Sequence, residues 1–237
     1  MKEPQTFSEA YQNACAQSSL PRPVADLSRI SSYKLLFMEI AREVCPQFVV
    51  REEYKPVFND IVLYCLNADG NLSPRKGLWI WGDIGTGKTT LLRIIRKYCA
   101  LVRPVDSDGT TYGFRITNAI DVCSKFASKG YDGIQTYICR NPEAYIGLYN
   151  IDDNISRQAF DELGSEARMT QHYGCVENVF QYILQRRYER HDGINNITHV
   201  TTNLEPSQVA GVYGDRIHDR CKEMFNFIAL RGKTFRK

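Results

Sequence analysis

The sequence predicts an α/β fold in which a parallel sheet is covered on both faces by helices. Three observations carry this. Gly82 to Thr89, within the stretch WIWGDIGTGKTT, fits the pattern G-x-x-x-x-G-K-[ST] between an apolar run and a leucine-rich one. From Gly77 onward, short apolar runs alternate with amphipathic stretches, the order that builds βαβ units. At 237 residues, 43% apolar and 24% charged, the chain can bury one substantial core plus a small appendage.

Before the loop, Pro21 and Pro23 break up any regular element, and Ser31 to Val44 carries Tyr33, Leu36, Phe37, Ile40 and Val44 at helical spacing. Residues 1–45 therefore read as an N-terminal helical extension too small to hold its own core, which must dock on something. A second helix is expected from near Pro56, a residue favoured in a first helical turn, to the turn at Asn67–Gly70. Strands are predicted over Leu78–Trp81 and Gly113–Thr117, in a run ending near Phe160, and over Ile197–Thr202 and Phe225–Leu230. Between them, Lys88–Val102 sets Leu91, Ile94, Ile95, Tyr98 and Val102 on one helical face, and Val176–Arg190 does so with Val179, Phe180, Ile183 and Leu184. Arg93, Arg96, Lys97, Arg186, Arg187 and Arg190 are assigned to solvated faces of these helices.

Composition excludes several classes. A net charge of +3 is too mild to announce a nucleic-acid binder by itself. The eight cysteines lie at least 16 residues apart, with no zinc-ligand spacing, and read as small reduced core residues. His172, His191, His199 and His218 are equally scattered. No stretch reaches the ~18 apolar residues of a membrane span, and MKEPQTFSEA lacks the apolar segment of a signal peptide, so a cytoplasmic protein is expected.

The glycine loop is built for phosphates. Its backbone N–H groups must turn inward around the anion, and glycines remove the side chains that would block them. Lys88 supplies a point charge and the following helix its N-terminal dipole. The Thr89 hydroxyl can ligate Mg2+. Gly82, Asp83, Ile84, Gly85, Thr86, Gly87, Lys88, Thr89 and Thr90 are the expected nucleotide contacts. ATP is preferred over GTP, because the nearest string to the guanine-reading Asn-Lys-x-Asp, Asn118-Ala-Ile-Asp121, lacks the lysine. Hydrolysis needs an acid at the end of a neighbouring strand to hold the metal, and commonly a second to activate water. Two sites compete: Asp152-Asp153 after the better apolar lead-in, and Asp161-Glu162 in QAFDELGSE.

The segment DELGSEARMTQHYGCVENVFQYILQRRYE, followed by ITHVTTNL and YGDRIHDRCKEMFN, resembles the ATPase core of DnaC-type helicase loaders, a group that includes IstB transposition helpers. It is similar especially to DnaC-like AAA+ proteins of Bacteroides-type bacteria and their mobile elements. The resemblance covers residues 46–237. It implies a five-stranded parallel sheet of order 5-1-4-3-2, no C-terminal helical lid, and ATP hydrolysed with Mg2+ at a boundary between subunits. By position it places the metal-holding aspartate on Asp161, the catalytic glutamate on Glu162, the strand-end sensor on Asn203 and an arginine finger on Arg220. Arg216, one helical turn earlier, is the alternative finger. The Tyr145–Ser156 region reads as an insertion.

The expected role is that of a helicase-loader-like ATPase: ATP binding organises subunits and contact with single-stranded DNA, and the first 45 residues grip a replicative helicase. An IstB-like helper for a transposase, a nucleotide-gated binding module with little turnover, and a small-molecule kinase are the alternatives. Lys222, Arg231, Lys233, Arg236 and Lys237, with Arg186, Arg187 and Arg190, form the candidate DNA stripe.

Overall fold

Alternation along the strand Gly77–Trp81 (β1) sets up the layers of the molecule: Leu78 and Ile80 point into one apolar cluster, Trp79 into another on the opposite face. The computed structural model describes residues 25–102, 113–138, 157–191, 196–232, 234 and 235. Five parallel strands form the central sheet: β1, Arg115–Asn118 (β2), Gln158–Leu163 (β3), Thr198–Thr202 (β6) and Phe225–Ala229 (β7). A separate antiparallel hairpin joins Thr170–His172 (β4) to Cys175–Glu177 (β5). The sheet order β2-β3-β6-β1-β7 is, read from the other edge and counting sheet strands alone, the expected 5-1-4-3-2.

The first face is covered by three helices: Ile30–Val44 (α1), Lys55–Cys65 (α2) and Lys88–Val102 (α3). On α3, Leu91, Leu92, Ile94, Ile95, Tyr98 and Cys99 are buried. The extension helix α1 docks on this layer through Phe37, whose ring meets Tyr98 edge-on at 5.0 Å, and the Tyr98 hydroxyl donates to the Tyr33 carbonyl at 3.1 Å. Burying a side chain of that size stabilises the docking by roughly 1.5–3 kcal/mol. The second face is covered by Ala119–Lys129 (α4), Val179–Glu189 (α5), Val209–Tyr213 (α6) and Asp215–Met224 (α7).

Three expectations need correction. Val176 lies in a hairpin, not in a helix. Gly174 turns the chain with φ +85°, and Asn178 then starts α5 by accepting the Gln181 N–H at 3.1 Å. Arg187 is fully buried rather than solvated. It sits four residues after Ile183 and three after Leu184, on the apolar face of α5. Its guanidinium donates to Thr198 Oγ1 at 2.6 Å and to the carbonyls of Tyr137 at 2.8 Å and Ile197 at 3.1 Å. Leaving such a buried cation half-paired would be strongly destabilising, and a guanidinium held inside the fold cannot belong to a DNA stripe. Among the cysteines, Cys175 is exposed on the hairpin, while Cys65, Cys99, Cys123 and Cys221 are buried as expected. Pro21, Pro23, the Tyr145–Ser156 insertion with Asp152 and Asp153, and Lys233, Arg236 and Lys237 lie outside the described residues.

Candidate active site: the phosphate loop and its acidic strand

The loop runs from the end of β1 straight into α3. At its first position, Gly82 has φ +143°, and a Cβ there would lie 2.1 Å from the Leu230 carbonyl oxygen, so only glycine lets β1 pass the end of β7. Gly85 and Gly87 also take positive φ, +80° and +87°. The Thr86 hydroxyl closes the loop by donating to the Asp83 carbonyl at 2.9 Å. Lys88 Nζ folds back onto the Gly82 and Asp83 carbonyls at 2.9 and 2.7 Å. A phosphate chain in the loop would offer that ammonium charged oxygens in place of neutral ones.

Asp161 comes to the loop through the sheet. Its strand β3 lies between β2 and β6, and its carboxylate is buried. Oδ1 accepts from the Thr89 hydroxyl at 2.8 Å and from the Thr201 hydroxyl on β6. The Thr201 oxygen in turn accepts the Glu162 N–H at 3.0 Å. Pairing of β3 with β6 shifts register between Phe160 and Leu163, and Glu162 has φ +59°. An extra residue in the ladder and a left-handed backbone at a non-glycine position re-aim successive side chains. Here they turn Asp161 toward Thr89 and leave the exposed Glu162 lining the loop cavity. Asn118, at the end of β2, donates from Nδ2 to Glu162 Oε2 at 3.2 Å while its Oδ1 caps α4 through the Ile120 N–H at 2.9 Å. The cap holds the amide still, so the amide fixes the glutamate.

This cavity has a volume of about 230 Å3 and is lined by Gly85, Gly87, Lys88, Thr89, Thr90, Glu162, Thr201 and Asn203, among others. The structure thus brings together the loop, Asp161, Glu162 and Asn203. Among the described residues no contact joins the two arginines to it. Arg220, on α7, lies half-buried against α5, donating to Gln185 Oε1 with its guanidinium 4.5 Å from the Tyr188 ring centre. Arg216 is exposed in an open groove with Asp215, Gln181 and Tyr182.

Sequence reasoning missed Thr201 and Asn118, whose signals were a threonine and an asparagine at strand ends. It also missed an apolar cavity of about 150 Å3 beside the loop, lined by Phe48, Val49, Tyr54, Phe58, Leu230 and Phe235 and sharing Thr86, Gly87 and Thr90 with the loop. No three carboxylates, thiols or imidazoles among the described residues cluster as a metal cage. A hydroxyl and a carboxylate meeting at Thr89–Asp161 are oxygen donors suited to Mg2+ only with further ligands from a phosphate chain and water.

No family model matches the sequence, and no curated protein matches it. Among solved structures, the chain is similar to one described as the DnaC helicase loader, at 16% identity and TM-score 0.52, over 78% of this chain and 94% of that one. It is also similar to a structure of DnaI, at 20% identity and TM-score 0.50, over 84% and 93% of the two chains. None of the described helices is long and apolar enough to cross a membrane. Likeness at these identities carries the fold alone, a parallel sheet of order 5-1-4-3-2 around a phosphate loop that this chain shares with the DnaC and DnaI structures.

Proposed function

We propose that the chain binds and hydrolyses ATP as an AAA+ protein of the DnaC type, and that it acts in loading or remodelling a replicative helicase on single-stranded DNA. The observation that carries the ATPase reading is Asp161, held between the Thr89 hydroxyl of the phosphate loop and Thr201, with Glu162 next to it on the cavity wall. That arrangement has no structural need of two adjacent acids at a loop built for anions.

In this reading the loop N–H groups and the N-terminus of α3 hold the phosphates, and Lys88 leaves the Gly82 and Asp83 carbonyls for the β- and γ-phosphate oxygens. Thr89 and Asp161 would hold Mg2+, which supplies positive charge against the phosphates when bound. Glu162, oriented by Asn118, takes the proton of the attacking water, and Asn203 on the same wall orients that water or meets the γ-phosphate. Arg220, with Arg216 as the alternative, completes the site of a neighbouring subunit. Residues 1–45 face the partner; Leu35 on α1 is 67% exposed, which supports a contact role there. The helicase assignment is supported by the DnaC description of a similar structure. For DNA, Arg186, Arg190, Lys222 and Arg231 remain candidates, although Arg186, Lys222 and Arg231 each already meet a carboxylate, Glu189 at 3.1 Å, Asp219 at 3.5 Å and Glu205 at 2.6 Å.

The test measures phosphate release from ATP by the full chain, alone and with single-stranded DNA and the replicative helicase, beside Lys88→Ala. The reading expects stimulated release that Lys88→Ala lacks, together with lost ATP binding by calorimetry. Undiminished ATP affinity in Lys88→Ala would sink it.

A further inference from the structure

After β7 the chain turns back over the phosphate loop and is fastened to it twice. The Gly232 N–H donates to Asp83 Oδ2 at 3.1 Å, and the Phe235 N–H donates to the Gly85 carbonyl at 2.9 Å. A third tie comes from Tyr54 beside the loop, whose hydroxyl donates to the Arg231 carbonyl. The path is close: at Gly232, φ is +142°, and a Cβ would lie 3.1 Å from the Tyr54 hydroxyl and 3.3 Å from Arg51 Nη1. These are backbone fastenings, so they fix where residue 235 stands without demanding an aromatic there.

The ring is placed for something else. It is 43% exposed, although it has an apolar cavity beside it. The Arg51 guanidinium lies 3.9 Å from its centre, a cation–π distance that holds the ring in orientation. The ring is a wall of both cavities, the 230 Å3 one at the loop and the 150 Å3 apolar one, which also share Gly87 and Thr90. Ligand pockets run to about 300–1,000 Å3. Neither cavity reaches that size alone, and the two together do. The first is lined by Lys88, Thr89 and Glu162, the groups that meet phosphates and water. The second offers Phe48, Tyr54, Phe58 and Leu230, with little to hold an anion. A ligand spanning both has a phosphate chain at one end and a flat, largely apolar group at the other.

We propose that Phe235 is a nucleoside-binding residue, its ring set by the tail and by Arg51 so that the base and ribose of a nucleotide pack against it while the phosphates occupy the loop. This rests on the nucleotide reading of the loop and deepens it, because it names a residue that separates a nucleotide from a bare phosphate chain.

Calorimetry on the full-length protein with ATP, ADP and inorganic tripolyphosphate, each with Mg2+, compares wild type, Phe235→Ala and Phe235→Trp. Phe235→Ala is expected to bind ATP and ADP about tenfold more weakly, within the range that loss of base–aromatic stacking produces. Tripolyphosphate binding should change less than about twofold, and Phe235→Trp should restore the nucleotide affinities. In Phe235→Trp, ADP but not tripolyphosphate should change the emission added by the new indole. Equal weakening of ATP and tripolyphosphate would overturn the proposal, since the tail would then act only by bracing the loop. Unchanged or tighter ATP binding by Phe235→Ala, or an indole blind to ADP, would overturn it too. Wild-type protein that binds no nucleotide would remove the reading on which it stands, a failure visible before any variant is made.

Discussion

Thr201→Val removes one hydroxyl and nearly keeps the side chain's shape. That hydroxyl is buried, 1% exposed, and makes two bonds: it donates to Asp161 and accepts the Glu162 N–H. A hydrogen bond to a charged group contributes about 1.5–3 kcal/mol, and an orphaned buried N–H costs about 1–3 kcal/mol. Asp161 keeps Thr89 as a donor, which trims the first figure, so the expected loss is about 3 kcal/mol. In a domain of this size that lowers the melting temperature by about 6–12 °C. Thr201→Ser, which keeps the hydroxyl and loses one methyl group, should cost only about 1 kcal/mol. A second effect follows from the left-handed backbone at Glu162, which the Thr201 oxygen helps to hold at φ +59°. Phosphate release at saturating ATP should therefore fall in Thr201→Val, with ATP affinity little changed because the loop makes the phosphate contacts. Scanning calorimetry and a phosphate-release assay read the two effects. A valine variant as stable as the serine variant and as active as wild type would refute the reasoning.

Two other predictions follow from neighbouring side chains. Burial, reinforced by the charges of Arg157 and Arg187, holds the imidazole of His199 down to about 3 from its usual 6.5, while its Nδ1 accepts the Leu78 N–H at 3.2 Å. Between pH 6.5 and 3 the unfolded chain binds a proton that the folded chain does not, so this contribution is full above pH 6.5 and is lost as pH falls. Urea unfolding should show it as about 2 kcal/mol lost between pH 6.5 and 5, absent in His199→Gln; equal pH dependence in the two proteins would contradict it. For the finger, Arg220→Ala is expected to bind ATP but hydrolyse it about 10³-fold more slowly, and mixing it with Lys88→Ala should restore part of the activity. Restoration with Arg216→Ala instead would move the role to Arg216, and no restoration with either would mean a site completed within one chain.

The phosphate loop was legible because its chemistry is contiguous: eight residues, with an apolar strand before and a helix after, carry the whole signal. The central strand β1 was legible for a related reason, since a buried parallel strand reads as an apolar run and Gly77–Trp81 is one. Local composition did not choose between Asp152-Asp153 and Asp161-Glu162, and the resemblance pointed to the second pair. Asp161 is held by Thr89 and Thr201, which lie 72 and 40 residues away in sequence. Arg187 was misassigned because charge was weighed above its helical position. Its partners on the Tyr137 and Ile197–Thr198 backbones come from other elements that no helical pattern reveals. The end of the second hairpin strand, Val176 and Glu177, was read as the start of the helix predicted over Val176–Arg190, although Gly174 and Asn178 were readable as turn and cap. Phe235 sat in a stretch read only for its positive charge, and what gives the ring meaning, Gly85 and Arg51, lies about 150 and 180 residues earlier.

The central claim is that Glu162 is the base of an ATP-hydrolysing site whose phosphate loop works without it. Single-turnover hydrolysis of radiolabelled ATP, with binding measured in parallel on the same samples, tests this most directly in wild type and Glu162→Gln. The account predicts equal ATP affinity in the two and hydrolysis at least ~100-fold slower in Glu162→Gln. Hydrolysis at the wild-type rate in Glu162→Gln would contradict it and return the choice to the acids at 152 and 153.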